Sequence, residues 1–454
     1  MGNTDSVVVQ QRLARFRLEE RPVVEGLFEK LQQGSSSVAT GKTKTFLELD
    51  TLKHAMADVA SEQMVRRVYA AMASMSTGAA AGSGEATGTA AEAGVSHGQL
   101  LVFLADVLRG TAEERAPIVM VMAGGSQTGV VTCDQVSEFL QDLVTAVVQI
   151  LTRRGRLKGW EPDHMGDCSL GVKLLAEQMC SELKPSDGVC NVSVLEDWIF
   201  HVSQVAVYLD LLISEGLGVA LSSQPPPPLL PPCQVAPWGK LRCLLDLPSL
   251  MFLTPQLPEG LSSPWRLLFS TQLHGESFSR VVGSCQRKGP SLLLVRDTKG
   301  HVFGGFASQS WEIKPQFQGD SRCFLFSVFP SLRVYTCTGY NDHYMYLNQG
   351  QQTMPNGLGM GGQHGYFGLW LDSDFGRGHS RARPRCTTYG SPQLSGEEDF
   401  ILDQLEIWAV GKPPQDPDQE KRSILDVDPE AQALMEIVGK TMHSQGLREP
   451  DDQS

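Results

Sequence analysis

A proline-rich stretch in the middle of the chain sets the strongest limit on how this sequence can fold. Residues 222–237 contain four consecutive prolines at 225–228 and two more at 231–232. Proline lacks a backbone N–H and fixes φ, so the stretch suits neither a helix interior nor a central strand. The apolar period changes from 3.6 residues before it to 2 after it. The sequence therefore predicts a linker at residues 222–240, either a spacer or a ligand for an SH3 or WW module.

The first half of the chain, residues 18–221, carries apolar stripes at helical spacing, which is typical of a helical core. The clearest stripes are Val24, Leu27, Phe28 and Leu31, and then Val136, Phe139, Leu140, Leu143 and Val147. Residues 76–94 are rich in Ala, Gly, Ser and Thr, which predicts a disordered surface loop. The apolar stretch from Ile199 to Leu221 contains acidic residues, so it is interpreted as a buried helix and not a membrane span.

The helical pairs invite comparison with EF-hands, whose loops bind calcium through carboxylates at fixed positions. With Gly129 as the central glycine, ligand positions one, three, five and twelve hold Gly124, Ser126, Thr128 and Gln135. None of these side chains is acidic, and a hard dication is not held without negative oxygens. The sequence therefore predicts a purely structural EF-hand-like bundle with no metal site.

The charge balance and the cysteines limit the function further. The chain of 454 residues has 38 Lys and Arg against 51 Asp and Glu, a net charge of −13. This balance disfavours binding along a nucleic-acid backbone, so no nucleic acid is expected as a partner. The ten cysteines are scattered, with no C-x-x-C pair and no signal peptide, which indicates free thiols in a reducing compartment.

The first six residues, Met1–Ser6, fit the pattern for N-myristoylation of Gly2 after removal of the initiator methionine. One myristoyl chain binds a membrane only marginally, so a second contact is needed for stable attachment. Residues 1–17 are therefore predicted to be a myristoylated N-terminal segment. Four nearby arginines are interpreted in one of two ways. Either their positive charge adds to the lipid anchor by attracting an acidic membrane leaflet, or they belong to an ordinary frayed terminus. These arginines are Arg12, Arg15, Arg17 and Arg21.

The second half, residues 241–411, contains many short runs of aromatic and β-branched residues, which predicts an antiparallel β-sandwich with some helix at its edge. Asp297 to Gly300 has the composition of a hairpin turn. Residues 412–454 form an acidic tail with a predicted helix at 428–441. One face of that helix carries Leu434, Ile437 and Val438, which are predicted to bind a partner, with packing on the core of the preceding β-domain as the alternative.

A search for chemistry finds no catalytic signature. Ser36–Thr43 lacks the first glycine of a Walker A loop and follows a helical pattern instead of a strand. The glycines at 357, 359, 361 and 362 predict a tight loop with close backbone packing, not a dinucleotide site. No cofactor and no catalytic residue is assigned. Scattered titratable groups remain as acid–base candidates if the fold brings them together: His274, Glu276, Glu312, Asp320 and Glu406. The histidines His343, His364 and His379 are too widely spaced to form a recognisable metal set, unless the fold brings them together.

Several motifs in the second half match a known family in their order and spacing. They are Trp265–Ser270, His274–Phe278, Phe303–Ala307, Trp311–Glu312, Gly359–Gly362, Leu369–Asp372, Gly376–Ser380 and Glu406–Val410. With them, residues 241–411 resemble a TLDc domain. The glycine at position 2, the EF-hand-like half and the linker make the whole chain similar to the lysosomal, mTOR-associated, N-myristoylated member of that family.

The resemblance implies an α+β chain in which an N-terminal all-α EF-hand-like bundle precedes a TLDc antiparallel β-sandwich with flanking helices. It implies no catalytic residues, binding to the V-ATPase and to mTOR signalling components, and a place on the cytosolic face of the lysosomal membrane or in the cytoplasm. The expected function is that of a non-enzymatic adaptor. The alternatives are a TLDc enzyme of unknown reaction and a calcium-responsive myristoyl-switch protein.

Overall fold

The computed structural model describes residues 7–34, 45–77, 94–125, 128–185, 188–223, 228–234, 236–258, 260 and 262–412. Within these ranges, ten α-helices lie in the first half of the chain. They are α1 (Val7–Leu13), α2 (Arg21–Gly34), α3 (Leu49–Met56), α4 (Glu62–Ala73), α5 (His97–Arg109), α6 (Ala112–Met122), α7 (Cys133–Arg153), α8 (Cys168–Cys180), α9 (Val192–His201) and α10 (Gln204–Leu217). The predicted apolar stripes lie on α2 and α7, and their side chains are buried.

Four very short strands link these helices in pairs. β1 (Phe46–Leu47) pairs antiparallel with β2 (Val95–Ser96), and β3 (Val131–Thr132) pairs antiparallel with β4 (Val189–Cys190). Each strand lies just before a helix, so α2–α3, α4–α5, α6–α7 and α8–α9 are four helix–loop–helix units joined two by two. The EF-hand comparison itself stays a prediction.

Polar caps fix where these helices begin. Thr132 accepts a hydrogen bond from the N–H of Gln135 (3.2 Å), and the Gln135 side chain accepts one from the N–H of Thr132 (2.9 Å). This reciprocal capping box pairs two N–H groups that α7 would otherwise leave without partners. Gln135 occupies the twelfth position of the calcium-loop alignment. Its side-chain oxygen accepts the Thr132 N–H in the cap instead of facing a calcium ion.

The apolar stretch from Ile199 to Leu221 is two helices and not the single buried helix predicted. α9 ends at His201, Val202 has non-helical backbone angles, and α10 begins at Gln204. Both helices bury apolar faces, so the stretch belongs to the core. Among the described residues, no helix combines the length and the apolar character that crossing a membrane requires.

α1 packs on α5 and buries Val9 and Leu13, and Phe16 in the turn that follows is also buried. Arg12 contacts Asp106 (2.6 Å) and Glu114 (2.9 Å), and Arg15 also contacts Glu114 (2.5 Å). Arginines engaged in this way are not free to contact an acidic lipid surface, which corrects the interpretation given above for Arg12 and Arg15. Residues 7–16 therefore pack on the helical bundle.

The second half is one curled antiparallel sheet with three helices. The helices are α11 (Leu247–Leu253), α12 (Thr271–His274) and α13 (Phe278–Cys285). The strands are β5 (Arg266–Ser270), β6 (Ser291–Asp297), β7 (Val302–Ala307), β8 (Lys314–Gln318), β9 (Phe324–Phe329), β10 (Arg333–Thr336), β11 (Met345–Asn348), β12 (Gly357–Gln363), β13 (Tyr366–Asp372), β14 (Arg377–His379) and β15 (Asp399–Ala409). Their order is β10-β9-β7-β6-β15-β14-β13-β12-β11-β8, with β5 also pairing with β15. The α+β prediction is confirmed.

β15 joins the two layers of this sheet. Its first residues, 399–401, pair with β14, whereas residues 402–409 pair with β6 and residues 406–409 also pair with β5. The layers curl toward each other and enclose a core to which both contribute. Its members include Leu293, Val295, Phe303, Leu325, Leu347, Leu358, Leu369 and Leu371. The hairpin turn predicted at residues 297–300 connects β6 and β7, with Gly300 at φ +88°.

The glycine run at residues 357–362 is strand β12, so the prediction of a tight loop was wrong. The strand pairs with β13 on one side and β11 on the other. A Cβ on Gly359 would lie 2.7 Å from the Phe367 ring and 2.8 Å from Trp370. Glycine is therefore required for close packing of aromatic rings over the strand. The close packing predicted for these glycines is present, although in a strand and not in a loop.

The outer face of one sheet layer packs against the helical half. Leu292, Leu294, Phe306 and Phe326 belong to the same buried cluster as the helical core, and α11 packs on α8. At the junction, the Trp160 ring centroid lies 5.9, 5.6 and 5.3 Å from those of Trp238, Trp265 and Trp408 respectively. Indole rings at such distances make favourable tilted and edge contacts.

The segment after the proline run is bonded to both halves. The Trp160 side-chain N–H donates to the Pro231 carbonyl (2.9 Å), and the Cys233 N–H donates to the Lys158 carbonyl (2.8 Å). On the other side, the Trp265 N–H donates to the Pro232 carbonyl (2.7 Å). Over residues 228–234 the linker is therefore part of the interface and not a free spacer.

Candidate functional site

The titratable groups considered as enzyme candidates do not converge. Glu276 is exposed, Glu312 pairs with Lys314 (3.0 Å), and Asp320 pairs with Arg322 (2.7 Å). The hydrogen bond from Arg322 holds the pKa of Asp320 well below its usual range. His274 accepts the N–H of Ser270 at Nδ1 (3.0 Å) and stacks on Phe269. General acid–base catalysis needs two such groups within reach of one substrate, which these residues do not provide.

Glu406 differs from the others because its carboxylate is fully buried in the sheet domain. Four donors surround it: the Leu244 N–H (3.0 Å), the Gln404 amide (2.9 Å), the Trp408 indole (3.0 Å) and the Cys243 thiol (3.5 Å). Burial raises the pKa of Glu406 from its ordinary value of 4.5 to about 7, although these hydrogen bonds favour the charged form. None of these four donors is a cation, so no ion pair offsets a negative charge on Glu406. The Glu406 side chain therefore has a structural role within the sheet domain.

Glu406 is expected to make stability depend on pH near neutrality. The pKa of Glu406 is higher in the folded state than in the unfolded state. The free energy of unfolding is therefore highest below pH 4.5, and it falls by about 3 kcal/mol as the pH rises through 7. Glu406→Gln should abolish that loss, so urea unfolding between pH 5 and pH 8 should show a flatter profile than wild type. Exposed Glu312→Gln is the control; if wild type and Glu406→Gln gave parallel profiles, the assignment would be wrong.

Three histidines that are far apart in sequence meet on the outer face of the other sheet layer. His343 stacks on Phe317 with ring centroids 4.0 Å apart, and His364 stacks on the same phenyl ring at 5.2 Å. His379 lies 5.9 Å from Trp370. These rings form an aromatic layer that also includes Tyr346 and Phe367. The spacing in sequence gave no sign of this convergence.

The Trp370 ring is at the centre of this layer. Phe367 stacks on it at 4.5 Å and 18°. Strict alternation along a strand would place Phe367 and Trp370 on opposite faces, since they are three residues apart. Gly361 and Gly362 on the neighbouring strand both have positive φ, so β12 departs there from regular strand geometry. A pattern of alternating residues therefore could not have identified this cluster.

Two adjoining cavities open beside these rings, with volumes of about 460 and 400 Å³. Both are lined by Trp370, Asp372 and His379, and together they are called here the Trp370 groove. The first cavity continues along the loop at residues 351–356, and the second along β14 and the start of β15. Volumes of this size are typical of ligand sites.

The protonation state of His379 follows from its surroundings. The Phe367 N–H donates to its Nε2 (3.4 Å), so the neutral ring carries its proton on Nδ1. Burial, together with the nearby charge of Arg381, lowers the pKa of His379 to about 4. The ring is therefore neutral at pH 7, and the residue lines both cavities of the groove.

The structure does not support metal chemistry at these histidines. Within the described ranges, no group of three or more His, Cys, Asp or Glu side chains is arranged to hold a metal ion. All ten cysteines lie within those ranges, and each is a free thiol. The groove is lined by hydrogen-bonding groups, charged side chains and aromatic rings.

Several predicted site residues cannot be placed. Gly2, the Walker-like stretch at 36–43, and Leu434, Ile437 and Val438 in the tail lie outside the described residues. The assignments of lipidation and of a partner-binding helix face therefore stay predictions.

Comparison with known proteins identifies the family. A model described as "TLDc domain" matches residues 242–411. A Danio rerio protein named "MTOR-associated protein MEAK7" is 64% identical over 455 residues, covering 100% of this chain and 99% of the relative. A Homo sapiens protein of the same name is 44% identical over 471 residues, covering 100% of both chains. By contrast, "Oxidation resistance protein 1" of Bos taurus is 35% identical over 36% of this chain and 18% of its own length. The chain therefore belongs to the family of TLDc-domain proteins formed by the relatives named MTOR-associated protein MEAK7.

Proposed function

We propose that this chain is a non-enzymatic adaptor in mTOR signalling that works on the cytosolic face of the lysosomal membrane and binds the V-ATPase. The observation that carries the mTOR link is the similarity to proteins named for mTOR association along the whole chain, at 64% and 44% identity. The similarity includes the helical half and the junction, not only the TLDc domain. The helical half and the sheet domain share one buried apolar cluster, which suits an adaptor that presents surfaces of both halves to its partners.

The adaptor role also draws support from the titratable groups. Glu276, Glu312, Asp320 and Glu406 are separately exposed, paired or buried, and none forms a nucleophile–base pair with His274 in the described structure. An enzyme places such groups within hydrogen-bond reach of one another. Binding, and not turnover, is the function proposed for the TLDc domain.

Attachment to the membrane is proposed to rest on two weak contacts. A myristoyl chain on Gly2 would supply one, with an affinity of roughly 10⁴ M⁻¹ that is too low for stable residence. Arg12 and Arg15 are engaged by Asp106 and Glu114, so they offer little additional attraction to lipid. The V-ATPase would supply the second contact, and two linked contacts bind more tightly than either alone.

The V-ATPase contact is proposed to use the TLDc domain and the predicted helix at 428–441. Leu434, Ile437 and Val438 give that helix an apolar face, which an amphipathic helix buries against a partner or its own domain. The alternative is that this face packs on the TLDc core. Leu434→Asp combined with Ile437→Asp tests the difference, since each charge would be costly in an apolar interface.

The central experiment is co-elution of the purified full chain with detergent-solubilised lysosomal V-ATPase, with ATP hydrolysis followed in the same fractions. We expect stable co-elution at micromolar protein, and its loss in the doubly substituted tail variant. The control is Phe200→Asp, an exposed substitution on α9 in the helical half. Absence of co-elution by the wild-type chain, with and without calcium, would refute the pump-binding part of the proposal.

Gly2→Ala is expected to reduce lysosomal association strongly in cells, because the substituted chain cannot accept myristate. The measurement is the lysosomal fraction of tagged chain, with phosphorylation of mTOR substrates as a second readout. Asn3→Ala, which keeps the glycine, is the matched control. A Gly2→Ala chain that stayed fully lysosomal would show that the lipid is unnecessary.

A further inference from the structure

The Trp370 groove contains hydrogen-bonding groups that the described protein leaves without partners. His379 lines both cavities of the groove, and its Nδ1–H has no acceptor among the described residues. The Trp370 indole N–H likewise makes no hydrogen bond within the described ranges. Neither nitrogen is among the fully buried unpaired atoms, so both N–H groups are reached by solvent and are open to an acceptor that enters the groove.

Charged groups in the groove are arranged unevenly. Arg381 pairs with Asp399 (2.7 Å) and Glu398 (3.3 Å), whereas Arg377 is exposed, lines the cavity and makes no ion pair with a described residue. Asp372 accepts the Asp374 N–H with one oxygen (3.1 Å) and also lines both cavities. The groove therefore offers one unpaired cation, N–H donors and a carboxylate acceptor along its length.

Large apolar side chains are exposed at the edge of the groove. Ile401 is 61% exposed and lines the second cavity, and Tyr366, 50% exposed, lies under the Arg381 guanidinium at 6.0 Å. Trp, Tyr and Arg are the residues most enriched where protein partners bind tightly. Exposed aromatic and aliphatic surface around a polar cleft is typical of an interaction site.

We propose that the Trp370 groove binds an extended peptide segment of a partner protein, with an acidic side chain of that segment paired to Arg377. Backbone carbonyls of the segment accept from His379 and Trp370, and a backbone N–H donates to Asp372. Apolar side chains on either side of the acid pack on Ile401 and Tyr366. The inference rests on the adaptor role proposed above and adds to it the class of partner that this face receives.

The same groups disfavour other ligands. Because repulsion scales with the charge of the ligand, Asp372 and Asp399 would repel a phosphate dianion placed against Arg377 more strongly than the single carboxylate of a Glu side chain. An extended peptide has both donors and acceptors, so it satisfies the carboxylate of Asp372 as well as the two N–H groups. His379 remains neutral at pH 7 and adds no charge that would attract a dianion.

The test uses the purified full chain and two sets of fluorescein-labelled octapeptides that are identical except for a central Glu or a central Lys. Fluorescence polarisation should show binding of Glu peptides with apolar neighbours, at least tenfold tighter than that of their Lys counterparts. Arg377→Glu should abolish the preference. Trp370→Phe keeps the stacked ring but removes the N–H, and should weaken binding about threefold to tenfold.

Lys288→Glu is the matched control, because Lys288 is exposed in the same domain, does not line the groove and gives the same charge change. Circular dichroism confirms that each variant is folded. Wild-type binding that ignores the central charge, a preference for Glu peptides that persists in Arg377→Glu, or no binding in either peptide set would each overturn the proposal.

The V-ATPase co-elution experiment, run on the same wild-type preparation as the peptide binding, separates this inference from the proposed function. If the charge-selective peptide binding is present while the wild-type chain fails to co-elute with the pump, the groove stands and the pump-binding role fails. If co-elution occurs but the peptides do not bind, the adaptor role stands and the groove assignment fails.

Discussion

Gly304→Ala is expected to destabilise the sheet domain by more than about 4 kcal/mol, although it adds only one methyl group. Gly304 lies on β7 between β6 and β9. A Cβ there would lie 1.8 Å from the Leu293 carbonyl oxygen and 2.7 Å from the Phe326 ring. The carbonyl belongs to the backbone of a central strand, so relief of the clash requires the paired strands to separate. Urea unfolding followed by circular dichroism measures the effect.

Gly283→Ala is the matched control for this substitution. Gly283 is within helix α13, and a Cβ there would meet nothing within 4 Å. Alanine is the better helix former, so this variant should be more stable than wild type by about 0.5–1 kcal/mol. A Gly304→Ala protein that unfolded within about 1 kcal/mol of wild type would contradict the packing described for β7.

Trp160→Ala is expected to cost about 3–5 kcal/mol, the range observed when a buried tryptophan is truncated. The substitution removes the ring that contacts Trp238, Trp265 and Trp408, and it deprives the Pro231 carbonyl of its donor. Because these partners belong to the linker and the sheet domain, the loss should weaken the junction between the two halves. Limited proteolysis should then cleave the chain faster near residues 228–238.

The control for Trp160→Ala is Tyr340→Ala, since Tyr340 is 79% exposed. Truncation of an exposed aromatic side chain should change the free energy of unfolding by no more than about 0.5 kcal/mol. If Trp160→Ala had an equally small effect, or left proteolysis near residue 230 unchanged, the four indoles would not be holding the halves together.

Periodicity was enough to predict the helical half and the sheet domain. The stripe on α7 and the strand candidates of the second half depend on local burial, which repeats every 3.6 or 2 residues. The turn at 297–300 also follows from local chemistry, because Gly300 supplies the positive φ that the hairpin needs. The separation at Val202 was missed, since both flanking helices are apolar and no proline or glycine marks the break.

The Trp370 groove and the junction could not be predicted, because both depend on residues far apart in sequence. His343, His364 and His379 come from different strands and loops and meet only after the sheet has curled. Trp160 and Trp408 are separated by most of the sheet domain in the chain, yet their rings lie 5.3 Å apart. The linker was expected from its prolines, but the hydrogen bonds that anchor residues 231–233 to Lys158 and Trp160 have no sequence signature.

The position of β15 has a consequence for how the protein is made. β15 is the last strand of the sheet to be synthesised, and it pairs with β5, the first strand of that sheet, as well as with β6 and β14. Contacts of such long sequence separation form slowly. Until residue 409 has left the ribosome, the edges of β5, β6 and β14 that β15 will occupy have no partner, and open edges promote aggregation. A nascent chain of this protein therefore depends most on chaperones late in translation, after nearly all of its sheet has been synthesised.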